Sequence, residues 1–243
     1  VPSRANGVWV PSEWIAMCLV CARFGGGGKE HRELSPDRRA GRLPDDEAAA
    51  VIAKLQDGVH LDGAEVFFRH EREHRLLVVL RGPGLDPAPT VTDPEHEGVP
   101  PLDSQPLAPD AKHTDELVTD VVAQAQRVLA GESKANGVLL RGFDTHRELP
   151  GFAERYGLRA AAVAIYPMYR GIARLLGMDV LGQPASLADE LQILRDAWGD
   201  YDYFFLHHKG TDSAGEDGDR PRKVAAVEQL DAAVPELRAL GPH

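Results

Sequence analysis

The spacing of hydrophobic and polar positions changes along the chain, and each change predicts a different kind of element. Apolar residues recur at helical spacing over residues 44–55 and 110–129, which predicts two amphipathic helices. Between them, residues 65–69 and 74–81 are rich in β-branched and other apolar residues, and a Gly-Pro-Gly turn closes the second run. We therefore expect two neighbouring, antiparallel strands in the first half of the chain.

Past residue 135 the pattern alternates between short apolar runs and helical segments. The apolar runs are residues 136–140, 160–165 and 203–207, and the helical segments are residues 166–176, 186–198 and 219–238. This alternation is typical of βα units around a parallel sheet that is buried on both faces. Three strands make a small parallel sheet, so we expect residues outside this chain to contribute further strands.

The composition of the remaining segments suggests a division into parts. Residues 1–30 show no sustained pattern and include a tetraglycine run, so they are left unassigned as a candidate for disorder. Residues 31–133 are predicted to form a smaller α+β domain, and residues 134–243 part of a larger α/β domain. Residues 86–109 are rich in Pro, Asp and Gly and are too long for an ordinary connection, so they form a functional loop or a linker.

The overall charge and the cysteine count narrow the classes of partner. The chain has 243 residues with 27 Lys and Arg against 38 Asp and Glu, a formal charge of −11, which argues against nucleic acid as the main partner. The best apolar run, residues 14–20, is too short to span a membrane. Cys18 and Cys21 alone complete neither a disulfide framework nor a four-ligand zinc site, and they favour a cytoplasmic setting. The oligomeric state is not indicated.

Two clusters of charged residues are candidates for chemistry. The segment after the third predicted strand of the larger domain has oxygen ligands suited to Mg²⁺ or Mn²⁺ together with two imidazoles. Those residues are His207, His208, Asp212, Glu216, Asp217 and Asp219. A solvated turn in which Asp219 caps the next helix is the alternative.

The second cluster is arginine-rich and precedes the first helix. Arg38, Arg39 and Arg42 lie within five residues of one another, and guanidiniums so close repel one another unless an anion lies among them. We therefore interpret the segment as a site for a phosphate or a carboxylate. A basic turn that pairs with neighbouring acidic residues is the alternative.

Several motifs in order resemble one enzyme family. They are Asp37-Arg-Arg-Ala-Gly-Arg42, His74-Arg-Leu-Leu-Val-Val-Leu-Arg-Gly82, Thr92-Asp-Pro94, Ala135-Asn-Gly-Val-Leu-Leu-Arg-Gly142, Tyr156-Gly-Leu158, Arg170-Gly-Ile-Ala-Arg-Leu-Leu-Gly-Met178 and Thr211-Asp-Ser-Ala-Gly-Glu-Asp-Gly-Asp219. Over residues 35–238 the order is similar to that in cofactor-independent phosphoglycerate mutases of the archaeal type. The resemblance implies an α/β fold: part of an alkaline-phosphatase-like doubly wound sheet, with the smaller α+β domain inserted into it.

The same resemblance implies a glycolytic isomerase that uses two Mn²⁺ or Mg²⁺ ions. It would interconvert 3-phosphoglycerate and 2-phosphoglycerate through a phosphoserine, with cationic residues holding the substrate. By analogy, the phosphate or carboxylate would be bound by Arg38, Arg39, Arg42, Arg75 and Arg170, the last of these at a position where relatives often carry Lys. Asp212 would be a metal ligand, joined by Glu216 where relatives usually place His.

The family's nucleophilic serine and its later metal ligands have no counterpart in these motifs, so no catalytic residue is assigned. The resemblance therefore implies an incomplete chain that is weakly active or inactive by itself. A noncatalytic module that binds a phosphorylated metabolite is an alternative function, and so is a related metal-dependent phosphomutase or phosphatase. For the leading hypothesis, we expect arginines of the smaller domain and oxygen ligands of the larger domain to share one phosphorylated ligand.

Overall fold

The chain folds as two compact units. The structure, a computed structural model, describes residues 3–5, 8–10, 14–25, 34–145 and 148–241. The first unit comprises Val10–Arg147 with Val1–Pro2, and the second comprises Glu148–His243 with Ser3–Trp9. Near the start of the chain, β1 (Ser3–Ala5) and β2 (Val8–Val10) form a two-stranded sheet.

The first unit is an antiparallel sheet with two helices packed on one face. Its described elements are, in chain order, β3 (Trp14–Gly25), β4 (Leu34–Asp37), α1 (Asp45–Gly58), β5 (Glu65–Arg72), β6 (Arg75–Arg81), α2 (Lys112–Leu129) and β7 (Gly137–Thr145). The central strand β3 pairs with β6 and β7, β5 extends the sheet beyond β6, and β4 pairs with the last residues of β3. The two predicted helices and the predicted hairpin are therefore confirmed.

Alternating residues of the strands build the core of this unit. Because side chains alternate between the two faces of a strand, every second residue of β3 from Ile15 to Cys21 points to the helical side, where all four are buried. Helix α1 packs Val51 and Leu55 into the same core, and α2 adds Val118 and Val121. This cluster of buried apolar side chains is the main source of stability of the unit.

The structure corrects two expectations about this half of the chain. Residues 14–25, within the segment 1–30 that was left unassigned, form the central strand, while residues 1–2, 6–7, 11–13 and 26–33 lie outside the described residues. The strand predicted at 136–140 does form, but it pairs antiparallel with β3 in the first unit instead of joining a parallel sheet. The first compact unit extends to Arg147, and the domain boundary at residue 133 stays a prediction.

The proline-rich segment 86–109 folds back on itself and is not an open linker. The Thr90 N–H donates to the Gln105 carbonyl at 2.8 Å, and the Leu107 N–H donates to the Ala88 carbonyl at 2.8 Å. Thr92 then fastens the loop to β7, because its N–H donates to the Leu140 carbonyl at 2.8 Å and its Oγ1 accepts from the Leu140 N–H at 2.8 Å. The loop is thus held against the edge of the sheet.

The second unit contains the parallel sheet that the alternating pattern predicts. Its described elements after residue 148 are α3 (Phe152–Tyr156), β8 (Ala160–Ala164), α4 (Pro167–Leu175), β9 (Asp179–Val180), α5 (Leu187–Asp196), β10 (Tyr203–His207), α6 (Gly210–Glu216) and α7 (Arg220–Ala239). The sheet order is β10-β8-β9 and both pairings are parallel. Strand β8 is buried along its whole length, as expected for the centre of a parallel sheet.

Helices pack on both faces of this small sheet. Ala173 of α4 lies in a cluster with Ala160 and Ala162 of β8, whereas Leu191 of α5 and Ala233 of α7 form a separate cluster against which Leu206 of β10 packs. Helices therefore cover both faces of the parallel sheet, as in α/β domains. In the described part of the chain, no helix combines the length and the hydropathy needed to cross a bilayer.

The close approach of β3 and β7 generates a stability prediction. A Cβ at Gly137 would clash with the buried ring of Phe24, whose backbone is also held by the Asn136 side chain through bonds of 2.6 and 2.9 Å. We expect Gly137→Ala to lower the free energy of unfolding of the first unit by about 1–3 kcal/mol. Urea denaturation followed by tryptophan fluorescence measures this loss.

The matched control is Gly131→Ala, where a Cβ would meet no atom within 4 Å. This substitution is expected to be neutral or slightly stabilising. Equal stability of the two variants would show that β3 does not pack on β7 as described.

Candidate functional site

A strained turn presents the first three predicted anion-binding arginines. Strand β4 ends at Asp37, whose Oδ1 accepts from the Arg39 N–H at 2.9 Å and whose Oδ2 accepts from the Gly41 N–H. Three consecutive residues, Ala40, Gly41 and Arg42, have φ values of 48°, 65° and 54°. Left-handed backbone at non-glycine residues is costly and is enriched at functional sites.

A buried histidine lies near three of the predicted anion-binding arginines. His74 is 3% exposed, and its Nδ1 has no hydrogen-bond partner. Burial, together with the positive charges of Arg75, Arg42 and Arg39, lowers the pKa of His74 to about 3. The structure therefore brings three of the predicted site residues around one neutral imidazole.

Arg38 joins the cluster through a buried carboxylate. Its Nε donates to Asp93 Oδ1 at 2.7 Å and its Nη2 to Asp93 Oδ2 at 2.6 Å, and the Asp93 side chain is only 1% exposed. Arg141 Nη1 lies 3.4 Å from the same Oδ2. Arg141 follows a predicted strand but was not assigned to the site by sequence reasoning, and its place is found only through the pairing of β7 with β3.

Cys18 of β3 lies opposite Arg141 of β7 and is also near Arg75 of β6. Burial raises the pKa of its thiol, while the charges of Arg141 and Arg75 oppose that shift, so both arginines lie near the same face of the sheet. Burial also raises the pKa of Glu71, which is likewise near Arg75 and Arg141. For Cys21, burial raises the pKa to about 12, so neither thiol is activated as a nucleophile.

Carboxylates accompany the guanidiniums throughout this region. Five arginines lie near six acidic residues, and the members are Arg38, Arg39, Arg42, Arg75, Arg141, Asp37, Glu71, Glu73, Asp93, Glu95 and Glu97. The carboxylate of Asp37 accepts hydrogen bonds from backbone N–H groups, and the carboxylate of Glu73 forms an ion pair with Arg42 at 3.2 Å. The arrangement can bind an anion without the self-repulsion of an unbalanced arginine cluster.

Arg170, the fifth predicted substrate-binding residue, lies in the second unit on α4. Its Nη1 donates to the Ala164 carbonyl at 3.1 Å and its Nη2 to the Gly182 carbonyl at 2.8 Å. Burial and the charge of Arg174 lower its pKa. Arg170 and Arg174 line a cleft of about 350 Å³ beside the carboxyl end of β8. The assignment of Arg170 to substrate binding stays a prediction.

The predicted metal ligands lie on one short helix of the second unit. Asp212 and Glu216 are one turn apart on α6; both side chains are exposed, and Asp212 forms an ion pair with Lys209. Asp217 pairs with Arg222, and Asp219 caps α7 by accepting from the Arg222 N–H at 3.0 Å. The alternative interpretation of this segment predicted that Asp219 caps the next helix, and this capping role is confirmed.

These residues do not complete a metal site. Over the described ranges, no group of three or more His, Cys, Asp or Glu side chains is arranged to hold an ion. Two buried imidazole atoms, His207 Nδ1 and His208 Nε2, have no hydrogen-bond partner, and burial and the charge of Lys209 lower the pKa of His207. The donors present therefore do not fit the two-ion centre that the motifs imply, and the assignment of Asp212 and Glu216 stays a prediction.

Sequence reasoning missed a buried acid in the second unit. Glu190 of α5 is fully buried, its Oε1 accepts from the Ile165 N–H at 3.2 Å, and its Oε2 has no hydrogen-bond partner. Burial raises the pKa of Glu190 to about 7. The helical spacing of α5 places residue 190 beside the buried Leu187, Leu191 and Leu194, and this was the one signal available.

The chain is similar to known proteins of one enzyme family. Residues 27–134 match the family model of the 2,3-bisphosphoglycerate-independent phosphoglycerate mutases. A probable mutase of this kind from Thermus thermophilus is 45% identical over 210 residues, covering 85% of this chain and 52% of that protein. One from Aquifex aeolicus is 41% identical over 223 residues, covering 88% and 54%. The chain spans about half the length of these curated relatives.

Two solved structures share the fold. The cofactor-independent phosphoglycerate mutase of Thermoplasma acidophilum has a TM-score of 0.55 and 24% identity, over 95% of this chain and 62% of that one. The PH0037 protein of Pyrococcus horikoshii has a TM-score of 0.65 and 20% identity, over 96% and 56%. At this level of identity the likeness supports a common mixed α/β fold.

The buried imidazole of His74 predicts an acid-sensitive first unit. The unfolded chain binds a proton at this histidine below its ordinary pKa of 6.5, whereas the folded chain does not until about pH 3, so stability falls as the pH drops below 6.5. Between pH 7 and pH 5, wild type should lose about 2 kcal/mol more unfolding free energy than His74→Gln. Urea denaturation at the two pH values measures the difference.

The exposed His113 on α2 provides the control. His113→Gln should keep the wild-type pH dependence. The account of His74 fails if His74→Gln keeps it as well.

The buried carboxyl of Glu190 predicts the opposite dependence in the second unit. The folded chain keeps this proton up to about pH 7, while the unfolded chain releases it near pH 4.5, so stability falls as the pH rises between these values. From pH 5 to pH 8, wild type should lose about 3 kcal/mol relative to Glu190→Gln, whose amide can still accept from Ile165.

Urea denaturation followed through Trp198, which lies in the second unit, measures this change. Glu228→Gln, on the exposed face of α7, is the matched control and should behave as wild type. A Glu190→Gln variant with unchanged pH dependence would contradict the assignment.

Proposed function

The chain is a member of the 2,3-bisphosphoglycerate-independent phosphoglycerate mutase family that spans about half the length of its relatives, and we propose that it carries the phosphoglycerate-binding part of such an enzyme. In the complete enzyme, 3-phosphoglycerate and 2-phosphoglycerate would be interconverted by metal-dependent phosphoryl transfer through a phosphoserine. The second unit would be part of an alkaline-phosphatase-like doubly wound domain, and residues 31–133 would belong to the inserted substrate-binding domain.

One observation carries this proposal. The ion pair of Arg42 with Glu73, at 3.2 Å, holds the arginine-rich turn beside the start of β6, where Arg75 lies. The charges of Arg39, Arg42 and Arg75 all lower the pKa of the buried His74, in agreement with this placement. Their convergence supports an anion site, because guanidiniums bind phosphate and carboxylate groups through paired N–H donors. Phosphoglycerate carries both groups on a three-carbon skeleton, so a cluster of several arginines suits it.

The contribution of these residues is to bind and orient the substrate. Arginines that hold a phosphorylated glycerate keep its hydroxyl in place while a phosphoryl group is removed and returned. In the complete protein, Mn²⁺ or Mg²⁺ would polarise the phosphate. Since the donors described here do not complete that centre, no chemical step is assigned to this chain, and we expect it to be weakly active or inactive by itself. A cytoplasmic location stays a prediction.

A second candidate function follows from the incomplete metal centre. The arginine cluster lies wholly in the first unit, whereas the described residues hold no complete metal site. A noncatalytic module that binds a phosphorylated metabolite needs only the cluster. Turnover of 3-phosphoglycerate after addition of Mn²⁺ would favour the mutase, and saturable binding without metal and without turnover would favour the module.

Both functions predict that Arg75 matters for binding. Titration calorimetry with 3-phosphoglycerate in the absence of metal should show saturable binding to wild type, and Arg75→Gln should weaken it about tenfold or more because a charge-assisted bond is lost.

The control is Arg81→Gln at the opposite end of β6, where Arg81 pairs with Glu65 and lies 5.1 Å from the centre of the Trp14 ring. Its affinity should equal that of wild type. If wild type shows no saturable binding, or if both variants bind equally, the proposed site is wrong.

A further inference from the structure

Asp93 is the most deeply buried carboxylate of the arginine cluster, and no role has yet been assigned to it. Its side chain is 1% exposed and accepts from Arg38 through both oxygens, at 2.7 and 2.6 Å. Oδ1 also accepts from the Glu95 N–H at 3.0 Å, and Oδ2 lies 3.4 Å from Arg141 Nη1. One buried carboxylate therefore contacts two guanidiniums from distant parts of the sequence.

The backbone fixes the position of this carboxylate relative to the sheet. The neighbouring Thr92 is bonded to Leu140 of β7 in both directions, and Leu140 directly precedes Arg141. Arg38 directly follows β4, and β4 pairs with the far end of β3. Asp93, which belongs to the loop of residues 86–109, therefore contacts both the arginine-rich turn and strand β7.

The electrostatics agree with a permanently ionised carboxylate. Burial alone would raise the pKa of Asp93, but the hydrogen bonds from Arg38 and the Glu95 N–H, with the charges of Arg38 and Arg141, outweigh burial and lower it. The hydrogen bond to Asp93 raises the pKa of Arg38. Charge-assisted, bidentate pairs of this kind restrict geometry more than single hydrogen bonds do.

The pair leaves Arg38 with donors for a ligand. A guanidinium has five N–H donors. In Arg38, Nε and Nη2 each donate one hydrogen bond to Asp93, and Nη1 donates one to the Glu95 carbonyl at 3.1 Å. At most two donors therefore remain, and their directions are set by the bonds already made.

We propose that Asp93 is a positioning residue of the anion site: its carboxylate holds Arg38 and Arg141 as a fixed pair of cations and does not itself contact the bound phosphoglycerate. This inference rests on the proposed function and adds to it two residues, Asp93 and Arg141, that the predicted site did not include. Preorganised donors bind an anion more tightly than mobile ones because less side-chain entropy is lost on binding.

The sign of one substitution distinguishes positioning from simple charge balance. Asp93→Asn removes a negative charge beside two guanidiniums, so a purely Coulombic effect would make the site bind a phosphate more tightly. A positioning role predicts weaker binding of the phosphate. Arg38 would lose its bidentate partner and Arg141 its ion pair, so both guanidiniums would become more mobile. We expect Asp93→Asn to weaken the binding of 3-phosphoglycerate about tenfold or more despite its extra positive charge.

The experiment measures 3-phosphoglycerate binding to the whole chain by calorimetry, without metal and well below the unfolding midpoint. The matched control is Asp202→Asn, which removes another bidentate partner, that of Arg159 in the second unit, with bonds of 3.2 and 3.0 Å. This control should bind as wild type does. Asp93→Glu keeps the charge but lengthens the side chain, and it should also weaken binding.

A spectroscopic readout separates positioning from loss of structure. In wild type, 3-phosphoglycerate should shift the Nε–Hε NMR signal of Arg38, and in Asp93→Asn this shift should disappear while the backbone amide spectrum stays dispersed. If Asp93→Asn does not fold, Asp93→Glu decides the question with the same two measurements.

Each outcome is informative. Unchanged or tighter binding by Asp93→Asn overturns the inference and leaves the proposed function intact, and so does unchanged binding by Asp93→Glu where that variant decides. Absence of saturable binding to wild type overturns the proposed function, and the inference with it. Weaker binding with loss of the Arg38 signal shift, while Asp202→Asn is unaffected, supports both.

Discussion

The first unit depends on a balance between the positive charges of guanidiniums that neighbouring strands bring together and the carboxylates that pair with them. Arg38, Arg39 and Arg42 come from the turn that follows β4, Arg75 from β6 and Arg141 from β7. Such a concentration of positive charge is tolerated because carboxylates such as Asp93 and Glu73 pair with it, and because His74 stays neutral.

The antiparallel sheet produces this convergence. Strand β3 pairs on one edge with β6, which begins at Arg75, and on the other with β7, which carries Arg141. Residues 75 and 141 are far apart in sequence, yet the register places them opposite Val20 and Cys18 on the same strand. The site is therefore a consequence of the topology, and local sequence alone does not specify it.

Much of the secondary structure could be predicted from periodicity, but the partners of the strands could not. The helices α1 and α2, the hairpin of β5 and β6, and the parallel pairing of β8 and β10 follow from spacing and turn residues. Strand β3 was missed because its residues are apolar on both faces, which hides the alternation of a strand. Strand β7 was predicted, but its antiparallel partner lies more than a hundred residues earlier, beyond the reach of local patterns.

The arginines of the candidate site could be predicted from the sequence, but its buried acidic residue could not. The composition of the turn at residues 37–42 indicates its chemistry, so Arg38, Arg39 and Arg42 were found directly, and Arg75 followed from the family motif. Asp93 lies in the family motif Thr92-Asp-Pro94, but neither the motif nor the composition around Glu190 indicates a role, and burial singles out both residues. The acidic segment at residues 212–219 shows the converse, because its carboxylates form ion pairs and a helix cap in the structure.

The most direct test of the account is an NMR titration of the whole chain with 3-phosphoglycerate in the absence of metal. The account predicts that the largest saturable shifts occur at the amides of residues 38–42, 74–75 and 141, with little change in α7. Shifts centred elsewhere, with the amides around His74 unmoved, would contradict the claim that these arginines form the anion site.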